Sequence, residues 1–363
     1  MSNARKLAAN LPLTGASGNR NIIINGAMQV SQRHGTSSVT AAAGDHYVVD
    51  RFKIQDYSDA TFTGQQVGDA PTGFMHSSKL TVTGTDTSLG TVQYQRFLQP
   101  IEGSNVSHLK WGYGAAAKTV TLSFYVKSSL TGTFSVFCFN NAANRSFIST
   151  YTISSANTWE KKTVTITGDQ SGAWLSNTGV GMYLGWSLGT GTNFQTSTLN
   201  AWDASFKMAS TSQVNLAGTN GATWQITGVQ LELGSKASEF EHESVGVTLS
   251  KCERYFQTYS KRVWVGINEH AANYKMYLNG VFRQKMRAAP AASFIGTVVI
   301  GRPQVGVTQR PNALGGLTAE GFQNCSWPSS GTYGGQLGTH GDAYYYMALG
   351  DGPTNRIDFD AEF

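Results

Sequence analysis

The residue types that carry chemistry are present, but their spacing rarely supports it. Gly185-Trp-Ser-Leu-Gly189 has the G-x-S-x-G spacing of a nucleophile elbow. Such an elbow needs a strand before the serine and a helix after it, so that the hydroxyl is held exposed. The next residues, Thr190-Gly-Thr-Asn-Phe-Gln195, cannot start a stable helix, so Ser187 reads as part of a strand that ends in turn glycines. Gly112 to Thr119 nearly reproduces a phosphate-binding loop. Its second glycine is missing, and a strand pattern follows where a helix N-terminus would have to supply the amides. The histidines, His34, His46, His76, His108, His242, His270 and His340, show neither H-x-H nor H-E-x-x-H spacing, so none marks a zinc site. Cys138, Cys252 and Cys325 are odd in number and lack C-x-x-C spacing, which argues against a disulfide framework and suits a reducing cytosol. The 22 Asp and Glu residues leave room for a glycosidase pair. Such a pair is defined by its separation in space, and no motif marks one here.

Aromatic residues offer more. Trp174, Tyr183, Trp186, Trp202, Trp327, Tyr333 and Tyr344–Tyr346 lie near loop-type sequence, beside Asn, Gln and Asp. A flat exposed ring covers the apolar face of a sugar, while amides and carboxylates bond its hydroxyls. Trp174, Tyr183, Trp327, Tyr333 and Tyr344 are the glycan-binding candidates. For each of them, core packing or an inter-subunit contact is the competing role.

The elements that must hold these rings are strands. Thr119–Lys127 alternates over nine residues, with Val120, Leu122, Phe124 and Val126 facing one way. Trp159–Ile166, Lys79–Val82, Thr91–Leu98, Thr133–Phe139 and Met182–Trp186 read likewise. In Thr223–Leu233 the alternation changes parity at Gly228, which predicts a bulge or bend there. Many short strands with frequent turns indicate an all-β, antiparallel jelly-roll sandwich. Leu249, Cys252, Tyr255 or Phe256, and Tyr259 recur at helical spacing, so Val247–Tyr259 predicts one short helix, capped by Ser250-x-x-Glu253 or by Thr248. A second, smaller β-rich region follows, with strands at Met276–Leu278, Val298–Ile300, Tyr344–Leu349 and Ile357–Phe363. The expected organisation is an N-terminal anchor arm over 1–20, a jelly roll over 21–246 and a β domain over 247–363.

Bulk composition narrows the class. Charged residues are only 13% of the 363, hydrophobic residues are 40%, and the net charge is +5. That balance excludes disorder, coiled coils and collagen-like rods. With no basic stripe and no run of 18 apolar residues, neither nucleic-acid binding nor membrane insertion is expected. The N-terminus lacks the apolar core of a signal peptide.

Several separated motifs resemble one family. Asn21-Ile-Ile-Ile-Asn-Gly-Ala-Met-Gln-Val-Ser-Gln-Arg33 with Val49-Asp-Arg-Phe52 looks like the opening of phage tail-fibre-like virion proteins. Thr119–Ser128 and Asn157–Lys162 are similar to the family's central strands, and Ile226–Gly234 with Phe240-Glu241 to its closing strand. Leu249–Phe256 resembles its C-R-Y-Y segment, here with Glu253 inserted between Cys252 and Arg254 and Phe256 for the last Tyr. Lys285–Pro290 and Asp360–Phe363 resemble its C-terminal signatures. The motifs look structural: Asp50-Arg51 suggests a buried ion pair and Asn25-Gly26 a tight turn.

The resemblance implies a carbohydrate-binding-module-like jelly roll, a place in the virion and a homotrimer, with no catalytic residues to carry over. The expectation is a non-enzymatic tail fibre that binds a host surface polysaccharide and joins other virion proteins through residues 1–20. It would be made in the host cytoplasm and released by lysis. A head fibre or capsid-decorating protein of the same build is the alternative, and a polysaccharide depolymerase ranks below both. No cofactor is required, although calcium is compatible with such a sandwich.

Overall fold

The computed structural model describes residues 20–260, 263–270, 275–296, 298–301, 308–309, 313–315, 317–326, 345–349 and 355–363. The expected arm, apart from Arg20, and the candidates Trp327, Tyr333 and Tyr344 lie outside the described residues. The chain forms two compact units. One comprises 20–28, 38–46 and 53–243; the other comprises 29–37, 47–52 and 244–363.

The protein is all-β, as its alternation predicts. In the first unit the strands are β1 (Val39–Ala41), β2 (Gly44–Val49), β3 (Phe52–Tyr57), β4 (Thr61–Val67), β5 (Ser77–Gly84), β6 (Tyr94–Glu102), β7 (Val120–Ser128), β8 (Gly132–Phe139), β9 (Ser146–Ile153), β10 (Glu160–Ile166) and β11 (Val180–Thr190). Three two-residue strands follow, β12 (Gln195–Thr196), β13 (Trp202–Asp203) and β14 (Ala209–Ser210), and then the long β15 (Thr223–Leu233). β2 and β3 straddle the division, because 47–52 group with the second unit. One sheet has the order β1-β4-β5-β15-β7-β10 and the other β13-β9-β8-β11-β6-β3-β2.

The two sheets meet over an aromatic core. Phe124 of one sheet lies 5.3 Å from Trp186 of the other, and Trp224 lies 5.6 Å from Phe97. Trp186 is therefore a core residue. Its flanking glycines gave it a loop-like context, but it stands mid-strand on the inner face of β11 and is fully buried. Ser187 is buried on the same strand, so the apparent nucleophile elbow is a strand interior.

The parity switch in β15 is a bulge. Gly228 has φ +61°, and the β15–β7 register shifts between Thr227 and Gln230. Trp224 and Ile226 before it, and Val229 and Leu231 after it, are all buried. β15 pairs with β5 only through Ile226. Beyond that point residues 21–28 take over. Ile22 N donates to Leu231 O (2.9 Å), Val229 N to Gly26 O (2.9 Å), and the Asn21 side chain bonds Val229 O and Leu231 N, each at 3.0 Å. Asn25 (φ 62°) and Met28 close the expected tight turn with a 2.9 Å bond. A side chain at Gly26 would stand 2.1 Å from Val229 O, so only glycine allows this approach.

The second unit contains helix α2 (Val245–Glu253), numbered after a four-residue turn of helix, α1 (Gly103–Val106), in the first unit. α2 is shorter than the periodicity predicts. Ser244, rather than Thr248 or Ser250, accepts the capping bond from Val247 N. Phe256–Ser260 leaves the helix to form β16, pairing with Arg356–Asp360 along its whole length. Phe-Gln-Thr-Tyr suits a strand, and the available partner decides the conformation. Ile357, Phe359 and Ala361 are buried on one face, as the final alternation predicts. Asp50 and Arg51 are both buried, and Arg51, at φ 72°, is ion-paired with Glu362 and lies 3.5 Å over the Tyr255 ring. Asp50 accepts bonds from Gln32 N (2.8 Å) and Gln32 Nε2 (2.6 Å), and the Arg33 and Arg51 guanidiniums favour its charged form.

Candidate functional site

In the first unit, two loops build a cleft at one end of the sandwich. The loop 103–119 links β6 to β7, and the loop 167–179 links β10 to β11. They are laced together by Gly103 N to Gly179 O (2.8 Å), Ser104 N to Asn177 O (2.9 Å), Gly112 N to Asp169 O (2.8 Å) and Gly114 N to Gln170 O (3.0 Å). Gly112, at φ +85°, brings the loops into contact, since a Cβ there would lie 2.5 Å from Gly172 O. The cleft has a volume of about 600 Å³, and its walls include Leu109, Lys110, Trp111, Tyr113, Trp174, Ser176 and Met182.

Trp111 and Trp174 form its hard corner, and Trp202 packs against both from outside the cleft. Trp111 lies 4.8 Å from Trp174 and 5.2 Å from Trp202, and Trp174 lies 5.4 Å from Trp202. All three pairs are close to perpendicular, the favoured edge-to-face arrangement. Each indole N–H is already committed: Trp111 donates to Lys118 O (2.7 Å), Trp202 to Thr167 O (2.7 Å) and Trp174 to Asp169 Oδ2 (3.1 Å). Asp169 is buried and also accepts two bonds from Arg145, at 2.6 and 3.0 Å. That fork raises the Arg145 pKa and fixes the Asp169 carboxylate that orients Trp174. What the corner presents to a ligand is therefore ring surface. Exposed Tyr113, with Ser107, Lys110 and Ser176, adds polar groups at the mouth.

The structure separates the two candidates that lie within the described residues. Trp174 stands in the cleft wall. Tyr183 lies elsewhere, on the outer face of the seven-stranded sheet, stacked 4.7 Å from Phe139. Trp111 and Tyr113 were not among the candidates. Their only sequence signal is Trp111-Gly-Tyr-Gly114, aromatics alternating with glycines in a non-strand segment. Cys138 and Cys252 are buried thiols whose pKa is pushed up by burial, so neither is poised as a nucleophile. Among the described residues, no group of three or more His, Cys, Asp or Glu side chains is placed to hold a metal ion. No helix among them is long and apolar enough to cross a membrane.

No protein-family model and no curated protein matches the chain. Solved structures similar to it include the enzymatically active domain of tailspike protein 4 of bacteriophage CBA120, at 12% identity and TM-score 0.32, covering 59% of this chain and 22% of that one. The chain thus spans about a fifth of that tailspike. A family 4 carbohydrate-binding module is similar at 15% identity and TM-score 0.29, over 58% of this chain and 98% of that one. The family 11 carbohydrate-binding module of a Clostridium thermocellum cellulosomal cellulase is similar at 10% and 0.29, over 55% and 100%.

Proposed function

We propose that the first unit is a glycan-binding β-sandwich and that the cleft at Trp111 and Trp174 receives a sugar ring. The supporting observation is the corner itself. Trp174, its N–H already bonded and its ring braced by the near-perpendicular indoles of Trp111 and Trp202, offers rigid apolar surface beside polar side chains. Such a surface costs little entropy on binding and matches the C–H face of a sugar. Trp174→Ala should weaken binding to the cognate glycan by about tenfold or more, while Trp202→Ala should also lower stability. Calorimetric titration of glycans selected on an array checks this. Equal affinity in Trp174→Ala would sink the cleft assignment.

The motif resemblance supports placing the chain in a phage particle, as a non-enzymatic tail fibre acting as a homotrimer. Three copies would multiply weak sugar contacts through effective concentration. Immunogold labelling of intact virions tests the location; gold on the capsid alone would move the protein to the head-fibre class. New reducing ends after incubation with host polysaccharide would make it a depolymerase instead. A melting temperature raised by calcium and lowered by chelator would add an ion to the sandwich.

A further inference from the structure

The outer face of the seven-stranded sheet carries a second constellation, separate from the cleft. β3 places Lys53, Gln55 and Tyr57 there, in register with Leu98, Arg96 and Tyr94 of β6. Residues Phe194, Leu199, Phe206 and Met208 cover the neighbouring β8–β9 part of this face. The part over β3 stays open: Tyr57 is 47% exposed, and its ring lies 5.0 Å from Tyr94.

Arg96 stands at the boundary between the covered and open parts, only 7% exposed. Its Nε donates to Gln55 Oε1 (2.7 Å), and its Nη1 faces the Met208 thioether at 2.8 Å, a weak acceptor for a cation. The rings of Tyr94 and Phe139 lie 4.8 and 5.2 Å from the guanidinium. Among the described residues Arg96 forms no ion pair, and its Nη2 has no hydrogen-bond acceptor yet is not sealed from solvent. The nearby carboxylate, Asp45, is engaged by Lys53 Nζ (2.8 Å) and Gln55 Nε2 (2.7 Å). Among the described residues, Arg96 has no carboxylate within ion-pair distance. Burial lowers the Arg96 pKa, as expected for a charge short of compensation. A buried guanidinium without a counter-charge costs free energy, and its neighbours Leu98, Phe137 and Phe139 would pack as well around an apolar side chain.

We infer that Arg96 is the anchor of a second glycan subsite, specific for a carboxylate-bearing sugar that lies against Tyr57 and Tyr94. A carboxylate oxygen accepts from the free Nη2 in a charge-assisted bond and supplies a countercharge. The phenols of Tyr94 and Tyr183, close enough to feel both Arg96 and Asp45, border the subsite. It is independent of the tryptophan cleft, so either can fail alone.

The test titrates the full chain with oligogalacturonate and with its carboxyl-reduced neutral counterpart. The acidic oligomer should bind about tenfold tighter, and the preference should shrink as salt is raised. Arg96→Gln should abolish the preference, and Trp174→Ala should keep it. If Arg96→Gln does not fold, the wild-type Arg96 Nε–H NMR signal should shift with the acidic oligomer and stay fixed with the neutral one. Exposed Tyr57→Ala should weaken binding without lowering the melting temperature. Equal affinity for both oligomers, a fixed Arg96 signal, or loss of the preference in Trp174→Ala would each overturn the subsite. Tighter binding of a sulfated oligosaccharide than of the uronate would overturn the carboxylate assignment.

Discussion

At Asp56 one carboxylate oxygen accepts from Ser58 N (3.1 Å) and Ser58 Oγ (2.6 Å), while the other meets no donor among the described residues. Burial outweighs these bonds and raises its pKa from 3.8 to about 6. The folded protein therefore binds more protons than the unfolded chain between those values, and stability falls as pH rises through that window. Asp56→Asn should raise the melting temperature at pH 7, with a gain on the order of 1 kcal/mol that fades towards pH 4. Thermal melts of both proteins across that range check it. Glu362→Ala acts oppositely: it removes the buried carboxylate that pairs with Arg51 and Arg33, and should cost about 3–5 kcal/mol in chemical denaturation. Neither partnership was legible beforehand. Arg51 and Glu362 are remote in sequence, so no local spacing could show their pairing. Trp174 was legible as a site candidate because turn residues surround it, whereas Trp186, also flanked by glycines, proved to be core. Local composition does not distinguish a glycine that ends a strand from one, such as Gly185, that makes room for the Phe137 ring.

Among the elements, β15 and residues 21–28 explain each other. The bulge at Gly228 ends the pairing with β5, and the Asn21–Met28 segment fills the released backbone positions. Two glycines separate conformational strain from steric clash. Gly228→Ala meets both φ +61° and the Phe74 and Tyr125 rings, at 2.7 and 2.9 Å, and should cost about 2–4 kcal/mol. Gly221→Ala meets φ +73° and open space, and should cost only about 1 kcal/mol. Urea denaturation of both variants measures the difference. The strands and the bulge were legible because alternation reports directly which side chains are buried. The end of α2 was not. Tyr255, Phe256 and Tyr259 fit a helical period equally well, and only the partner strand at Arg356–Asp360 settles their conformation.

For the whole molecule, the low charge content fits a surface of short polar side chains on β-strands. The proposed trimer makes a simple prediction: sedimentation equilibrium should give about three times the 39.0 kDa chain mass. A monomer at micromolar concentration would remove the multivalent part of the proposal. Each compact unit is assembled from separated stretches of chain, with Tyr47–Phe52 belonging to the second and the residues on either side to the first. A linear reading could not show this, because neither composition nor periodicity changes between residues 29 and 52.

The docking of residues 21–28 on β15 also has a mechanical side. Arg20 contacts Glu232 and Glu239, and Asn21 N bonds Glu241, so residues 20–21 and 239–241 meet at one edge of the first unit. Tension between residues 20 and 243 therefore first meets a few bonds at one edge, against a strand that β7 holds in the sheet through Leu233. Residues 21–28 run antiparallel to β15, so a stronger pull peels them off bond by bond, starting at Ile22–Leu231.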